Sequence, residues 1–279
     1  MDKSIHVILG IDMETDCGHN TPFYEGVQKA TPILLDIFEK KGVKTTFYFT
    51  GDAARQNPAS VELVRGCGHD IGCHSLYHET VGEELYPIPG VKPLLPGEVF
   101  HRLETATQWV EEVSGTRPVS FRGPRLWGST EVVNALEKLG YTSDATYPMY
   151  YFRQRFTPYH PSSRDWTQKG ELKLLEIPNF ADMLMESRDQ PTESDRDQWP
   201  IFRTEGADAL MLRVKNFLRF LELRGLPAVL CFYFHPWEFV QMQPAYHYGV
   251  STVMPDPIII EGCGEKACRE FGLLIDRLK

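Results

Sequence analysis

The sequence predicts an α/β fold in which a parallel β-sheet is covered by helices. Short apolar runs alternate with amphipathic helical segments about seven times along the 279 residues. The predicted strands are almost continuously apolar, which is typical of strands buried on both faces. This pattern fits either an open doubly wound sheet or a barrel.

The individual elements follow from hydrophobic periodicity and from their end signals. A strand is predicted at 6–11, followed by a helix with Thr31 as its N-cap and Pro32 in its first turn. A strand at 44–49 and a helix that begins at Asn57 come next. The later elements are strands at 69–73, 119–122, 141–146, 172–177 and 228–234, and helices at 97–113, 130–139, around 210–221 and from 265 onwards.

The chain is predicted to form one domain over residues 1–279, with its motifs in 5–240 and a C-terminal helix in 265–279. No stretch rich in Gly, Ser or Pro separates two blocks of different composition. The polar, aperiodic segment 182–200 is predicted to be a long loop over one face, as either a functional lid or a plain insertion.

Charge and composition exclude several classes of function. Lys and Arg total 29 against 38 Asp and Glu, and no basic run could follow a nucleic-acid backbone. The longest apolar run, 228–234, is much shorter than the roughly 20 residues of a membrane helix. The N-terminal residues lack the pattern of a secretory signal, so a cytoplasmic location with free thiols at the six cysteines is expected. The sequence leaves open whether the protein forms a homo-oligomer.

Chemically capable side chains follow several of the predicted strands. Carboxyl ends of parallel strands lie at one rim, so residues far apart in sequence are expected to converge there. Two imidazoles and a carboxylate can hold a divalent ion with open positions. The residues concerned are Asp12 and Glu14 after the first strand, His74 and His78 after the third, Arg122 at the fourth and His235 at the last.

Four segments resemble, in order, the motifs of the NodB-homology polysaccharide deacetylases, carbohydrate esterase family 4. They are IDMET, HDIGCHSLYHE, FRGPR and FYFHPW, and TTFYFTGDAA is similar to the family's second strand and the loop after it. The resemblance covers about residues 5–240. It implies a distorted seven- or eight-stranded (β/α) barrel, the NodB-like fold.

The resemblance also implies a role for each motif residue. Glu14, His74 and His78 would bind a divalent metal, zinc by ligand type, although nickel or cobalt would suit the same set. The remaining roles are Asp12 as catalytic base, Arg122 as its orienting partner, His235 as general acid, and the backbone N–H of Arg125 as an oxyanion donor.

The chain departs from the family pattern at two of these positions. Glu14 stands where the family usually has Asp, and Asp16, in register on an extended strand, is a reserve ligand. Arg125 stands where the family usually has an aromatic residue. The family's fourth motif, an Asp with a nearby Trp, has one candidate here in Asp165 and Trp166.

Substrate contacts are predicted for Trp127, Trp166 and Trp237, because aromatic faces beside the motifs can stack on sugar rings, and for Arg125, which occupies the family's aromatic position in the pocket wall. Ordinary loop packing is an equal alternative for each aromatic residue. The first functional hypothesis is removal of the N-acetyl group from an acetamido sugar. The alternatives are a cytoplasmic hydrolase of cyclic ureides or imides, similar to allantoinase, and a non-catalytic domain that binds carbohydrate or a partner and keeps a metal site.

Overall fold

A curled parallel sheet forms the centre of the molecule in the computed structural model, which describes residues 4–18, 21–88 and 90–279. Within this part of the chain, seven strands pair in the order β6, β5, β4, β3, β2, β1, β7, and every neighbouring pair is parallel. The strands are β1 Ile5–Met13, β2 Thr46–Phe49, β3 Asp70–Cys73, β4 Ser120–Phe121, β5 Ser143–Asp144, β6 Leu175–Glu176 and β7 Ala228–Phe234.

The sheet curls until its two edge strands come close together. The chain that follows β6 reaches β7, where the N–H of Phe180 donates to the carbonyl of Cys231 at 2.8 Å. The side-chain amide of Asn179, the preceding residue, donates to the carbonyl of Ala145, which follows β5, at 2.7 Å. The predicted (β/α) barrel is confirmed, as a half-barrel surrounded by helices.

Helices cover the outside of the curled sheet. They are α1 Glu25–Lys41, α2 Gly51–Gln56, α3 Pro58–Gly66, α4 Pro96–Ser114, α5 Thr130–Leu139, α6 Met149–Phe152, α7 Ile201–Thr204, α8 Ala207–Glu222, α9 Pro257–Ile260 and α10 Glu265–Leu278. An antiparallel hairpin, β8 Tyr246–Tyr248 and β9 Ser251–Val253, lies before α9. Among the described helices, none has the length and apolar character needed to cross a membrane.

Aromatic contacts join the outer helices to the strands. Phe271 of α10 lies 4.7 Å from Phe234 of β7 and 5.7 Å from Phe38 of α1, measured between ring centroids. Phe38 in turn lies 6.0 Å from Phe47 of β2. Edge-to-face pairs of this kind add about 0.5–1.5 kcal/mol each to the burial of apolar surface. The C-terminal helix is therefore part of the packed core.

The predicted start of the first helix is wrong. Helix α1 begins at Glu25, not after Thr31, and Pro32 lies inside it. The carboxylate of Asp16, in the loop between β1 and α1, accepts the N–H groups of Glu25 at 2.9 Å and Gly26 at 2.8 Å and so caps the helix. Thr31 is buried, and its hydroxyl donates to the carbonyl of Val27 within the helix.

Other predicted elements are confirmed with shifted ends. Helix α5 and strand β7 have the predicted bounds, and the predicted helix 97–113 is α4 with one more residue at each end. The predicted strands at 119–122, 141–146 and 172–177 shorten to two residues each in β4, β5 and β6. The short helices α2 and α6 and the hairpin β8–β9 were not predicted, since elements of three to six residues carry little periodic signal.

Two buried carboxyl groups face each other on adjacent strands inside the sheet. Asp144 and Glu176 are register partners and are fully buried. Oε1 of Glu176 accepts the N–H groups of Thr146 at 3.1 Å and Tyr147 at 2.8 Å. Among the described residues, Oδ2 of Asp144 and Oε2 of Glu176 have no hydrogen-bond donor, as expected for two oxygens that share one proton.

We expect this pair to make the fold less stable as the pH rises. Burial raises the pKa of both carboxyls, so the folded protein keeps a proton that the unfolded chain loses above about pH 4. Glu176→Gln supplies a permanent N–H in place of the shared proton. Its thermal midpoint should therefore fall less between pH 4 and pH 8 than that of the wild type, as measured by circular dichroism.

The matched control is Glu39→Gln, at an exposed position of α1. This variant should follow the wild-type pH curve. Parallel curves for Glu176→Gln and the wild type would contradict the shared proton.

Candidate metal centre and active site

The carboxyl ends of β1, β3, β4 and β7 surround a cavity of about 690 Å³. Residues more than 200 positions apart in the chain meet there, as the parallel topology predicts. The side chains predicted from the sequence that line this cavity are Asp12, Glu14, His74, His78, Arg125, His235 and Trp237.

Glu14 and two histidines form a compact, buried cluster. Oε2 of Glu14 lies 2.7 Å from Nε2 of His78 and 3.5 Å from Nε2 of His74. One ligand atom from each residue lies within 4.8 Å of the other two. Burial raises the pKa of Glu14, but His78 and His235 outweigh burial, and the net pKa lies well below its ordinary value. Glu14 is therefore ionised at neutral pH.

The segment after β3 turns sharply to bring the two histidines together. His74 and His78 do not lie on a helix. Ser75 and His78 have positive φ angles of 66° and 61°, and the imidazole centroids lie 5.2 Å apart. The carboxylate of Glu79 accepts the N–H of Tyr77 at 2.6 Å and so helps to hold the turn.

Hydrogen bonds from outside the cluster orient its members. Nδ1 of His74 lies 2.7 Å from the carbonyl of Arg122. A carbonyl can only accept, so Nδ1 carries the proton and Nε2 presents its lone pair to the cavity. Nε1 of Trp237 donates to Oε1 of Glu14 at 3.2 Å, which leaves Oε2 facing the histidines.

These residues fit a divalent metal ion. Oε2 of Glu14 is buried and lies within 3.5 Å of Nε2 of both histidines, an arrangement in which one cation could bind all three groups. Ligand atoms about 2.1 Å from a tetrahedral ion lie about 3.4 Å from one another, close to the separations in this cluster. Glu14, His74 and His78 are thus a possible metal site, with one carboxylate and two imidazoles as donors.

A fully buried ion pair lies beside this cluster. Nη1 of Arg122 donates to Oδ1 of Asp12 at 2.8 Å, and its other donors reach the carbonyls of Ala145 and Phe232 at 3.2 Å. Although burial disfavours the charge, Asp12 raises the pKa of Arg122, which stays protonated. The guanidinium therefore fixes the orientation of the Asp12 carboxylate.

Gly10 leaves room for this guanidinium inside the sheet. A Cβ at this position of β1 would collide with Nη1 of Arg122 and lie 2.7 Å from Nη2. Any side chain at Gly10 would push Arg122 away from Asp12. The glycine is therefore required by the close approach of the arginine to the strand.

His235 lies on the opposite side of the cavity. Its Nε2 is 3.9 Å from Oε1 of Glu14, and its ring stacks on that of Trp237 at 4.9 Å between centroids. Burial alone would lower the pKa of His235, but the carboxylates of Glu14 and Glu238 raise it to about 9. This imidazole is accordingly protonated at neutral pH and can give a proton to a bound group.

Several predicted residues lie elsewhere. Asp16 caps α1 and is not a ligand in reserve, since both of its oxygens accept helix N–H groups. Trp127 and Trp166 are almost completely buried and are not among the described residues that line the cavity. Trp166 packs 5.5 Å from Tyr147, so ordinary packing explains this ring. Asp165 is exposed and accepts from Thr167.

The segment 182–200 contributes residues that the sequence did not single out. Asp197 lines the cavity and accepts the hydroxyl of Tyr233, whose phenol also faces it. Tyr86 and Tyr150 complete a polar aromatic wall. The predicted position of this segment over one face is therefore correct. The motifs gave no signal for Asp197, because only the folded chain brings it to the rim.

Comparison with known proteins shows which family the chain resembles. The model described as polysaccharide deacetylase matches residues 20–143. A peptidoglycan-N-acetylglucosamine deacetylase from Bacillus cereus is 25% identical over 140 residues, which are 50% of this chain and 55% of that protein. Chitin deacetylase 1 from Cryptococcus neoformans is 26% identical over 100 residues, 36% of this chain and 19% of that protein. The match thus spans 55% or less of the length of these two relatives.

Solved structures support the same fold. A structure from Mycobacterium smegmatis assigned to the polysaccharide deacetylases has a TM-score of 0.58 at 20% identity and covers 84% of this chain and 77% of that one. Puue allantoinase has a TM-score of 0.59 at 14% identity and covers 98% and 84%. The fold is that of the NodB-like barrels. The predicted resemblance to the polysaccharide deacetylases is confirmed by the family model and by these relatives.

We expect Gly10→Ala to destabilise the fold by about 3–5 kcal/mol, the usual cost of breaking a buried ion pair. The added methyl group displaces Arg122 and leaves Asp12 unpaired. Urea denaturation of the purified variant measures this difference.

Gly97→Ala is the matched control, because a Cβ at Gly97 of α4 meets nothing within 4 Å. This control should be neutral or slightly stabilising. A Gly10→Ala variant as stable as Gly97→Ala would mean that Arg122 can shift without loss.

Proposed function

We propose that this protein is a metal-dependent hydrolase that removes the N-acetyl group from an acetamido sugar. One observation carries the proposal: a carboxylate with two imidazoles shares one cavity with the Arg122-bound Asp12 and with His235. The family match and the two deacetylase relatives support the reaction class, which is hydrolysis of a carbon–nitrogen bond.

Glu14, His74 and His78 would hold the divalent ion. Such an ion lowers the pKa of water and polarises a carbonyl group. Two imidazoles and a carboxylate suit zinc, and nickel or cobalt would be held by the same donors. The hydrogen bonds from Trp237 to Glu14 and from His74 to Arg122 would fix the ligands in place.

Asp12 and His235 would move the protons. Asp12, oriented by Arg122, would take a proton from the attacking water. The backbone N–H of Arg125 would donate to the oxygen of the tetrahedral intermediate, as in the family pattern. His235 would give a proton to the departing nitrogen, so that water and the acetamide become acetate and an amine. An amide needs this acid because an amine anion is a poor leaving group.

The wall of the cavity supports a sugar as the substrate. Tyr86, Tyr150 and Tyr233 offer hydroxyl groups and ring faces, which suit the alternating polar and apolar faces of a pyranose. Burial raises the pKa of Asp197 to about 7, so this side chain can donate or accept near neutral pH. The acidic residues that the segment 182–200 adds to the cavity disfavour polyanionic substrates.

Substitutions should separate metal binding from turnover. Asp12→Asn keeps an oxygen for Arg122 but loses the base, so we expect a full complement of metal and a turnover reduced by about 10²–10⁴-fold. His74→Ala and His78→Ala should lose both metal and turnover. Metal is measured by mass spectrometry of the purified protein, and turnover by acetate release.

The control for these variants is His101→Ala, at an exposed position of α4. It should keep both properties. Unchanged acetate release after the metal has been removed by a chelator would overturn the metal-dependent mechanism.

A substrate panel separates the three functional hypotheses. Metal-loaded protein is tested for acetate release from N-acetylglucosamine oligomers and for ring opening of allantoin and succinimide. We expect acetate release. Ring opening without acetate release would favour the ureide or imide hydrolase. No turnover in any of these assays, together with binding of the oligomers in calorimetry, would favour the non-catalytic domain.

A further inference from the structure

We infer that Glu238, held by the buried Arg203, is a positioning residue that sets the orientation of the His235 imidazole. The inference rests on the proposed function, in which His235 is the proton donor. Glu238 is completely buried and does not line the cavity, so it acts through His235 and does not touch a substrate.

The turn that follows β7 places Glu238 behind His235. Residues 236–239 form a 3-10 turn, and Oε2 of Glu238 accepts the backbone N–H of His235 at 3.0 Å. The same oxygen lies 3.6 Å from Nδ1 of His235. This separation is an ion-pair distance and longer than a hydrogen bond. Glu238 is therefore the carboxylate that Nδ1 of His235 faces.

The other oxygen of Glu238 is fixed by two donors. Oε1 accepts from Nε1 of Trp199 at 2.7 Å and from Nε of Arg203 at 2.9 Å. Arg203 is also completely buried, and its Nη1 donates to the carbonyls of Ile258 and Glu261. The carboxylate therefore cannot turn away from His235 without losing an ion pair and a hydrogen bond.

The imidazole is restrained on its other sides as well. Its ring is nearly parallel to that of Trp237, with an interplanar angle of 18°. Trp199 meets it edge on at 6.4 Å. With Nδ1 directed at Glu238, Nε2 faces Glu14 and the cavity. A rotated ring would place the wrong nitrogen toward the substrate.

Burial of the Arg203–Glu238 pair carries a large desolvation free energy. Desolvation of two charges consumes most of their attraction, and apolar residues of similar size often stabilise a protein equally well. Stability alone does not explain this pair, whereas a role in orienting the adjacent His235 does. Catalytic contacts are often long in an unliganded site and tighten in the complex with substrate.

The effect of Glu238 should depend on the leaving group. An amide nitrogen must be protonated as it departs, whereas a nitrophenolate departs without an acid. A misplaced His235 should therefore impair amide hydrolysis and spare ester hydrolysis. A purely structural role of Glu238 would impair both reactions equally.

The test compares Glu238→Gln with the wild type, both metal-loaded, on tri-N-acetylchitotriose and on 4-nitrophenyl acetate. Gln keeps an acceptor for the His235 N–H and removes the charge. We expect kcat for the amide to fall about a hundredfold at unchanged KM, and kcat for the ester to change less than about threefold. Equal losses for the two substrates, or no loss, would overturn the inference.

Two further variants guard against a folding defect. Glu176→Gln neutralises another fully buried carboxyl that accepts backbone N–H groups, and it should keep the ratio of amide to ester turnover. If unpaired Arg203 prevents Glu238→Gln from folding, the double variant Arg203→Met/Glu238→Gln removes both charges. The same selective loss is expected there, and an unchanged ratio in the folded double variant would contradict the role of Glu238.

A readout independent of turnover separates the two proposals. If the wild type hydrolyses neither substrate, the proposed function fails, and the ¹⁵N resonance of His235 Nδ1 in metal-loaded protein decides the inference. We expect this resonance to move in Glu238→Gln and to stay in place in Glu176→Gln. An unmoved resonance in Glu238→Gln would show that the carboxylate does not act on the ring.

Discussion

The buried guanidinium of Arg122 joins three distant parts of the sheet to the candidate active site. It lies inside the curled sheet, where it contacts Asp12 of β1, Ala145 after β5 and Phe232 of β7. A charge removed from water is stable only when its donors are satisfied in good geometry. The strands that supply these acceptors must therefore keep their positions, and Gly10 must stay without a side chain.

The same residue links the scaffold to the candidate chemistry. The side chain of Arg122 orients Asp12, and its main-chain carbonyl sets the protonated nitrogen of His74. One position thus controls both the proposed base and one proposed metal ligand. Across the cavity, Glu238 and Arg203 form a second buried ion pair behind His235. The residues proposed to move protons are supported from the protein interior on both sides, in water-poor surroundings where electrostatic interactions are strong.

Local patterns predicted much of the fold. Helix α5 has an N-cap at Ser129, an apolar stripe and Gly140 at its end, and its bounds were correct. The apolar run of β7 was correct as well. The start of α1 was wrong because its cap, Asp16, lies nine residues before the first N–H that it accepts. No local rule pairs a helix with a cap at that distance. Thr31 followed by Pro32 matches the usual pattern of an N-cap and first turn, although both residues lie inside the helix.

The sequence alone was enough to show which polar residues follow which strands. From this it predicted that one rim would bring together Asp12, Glu14, His74, His78 and His235. Parallel topology converts a position after a strand into a position at the cavity, so spacing along the chain was enough. The tertiary structure alone decided which aromatic residues face the cavity, that Asp197 joins them and that Glu238 supports His235. Side-chain direction in loops depends on packing between distant segments, and local sequence does not encode it.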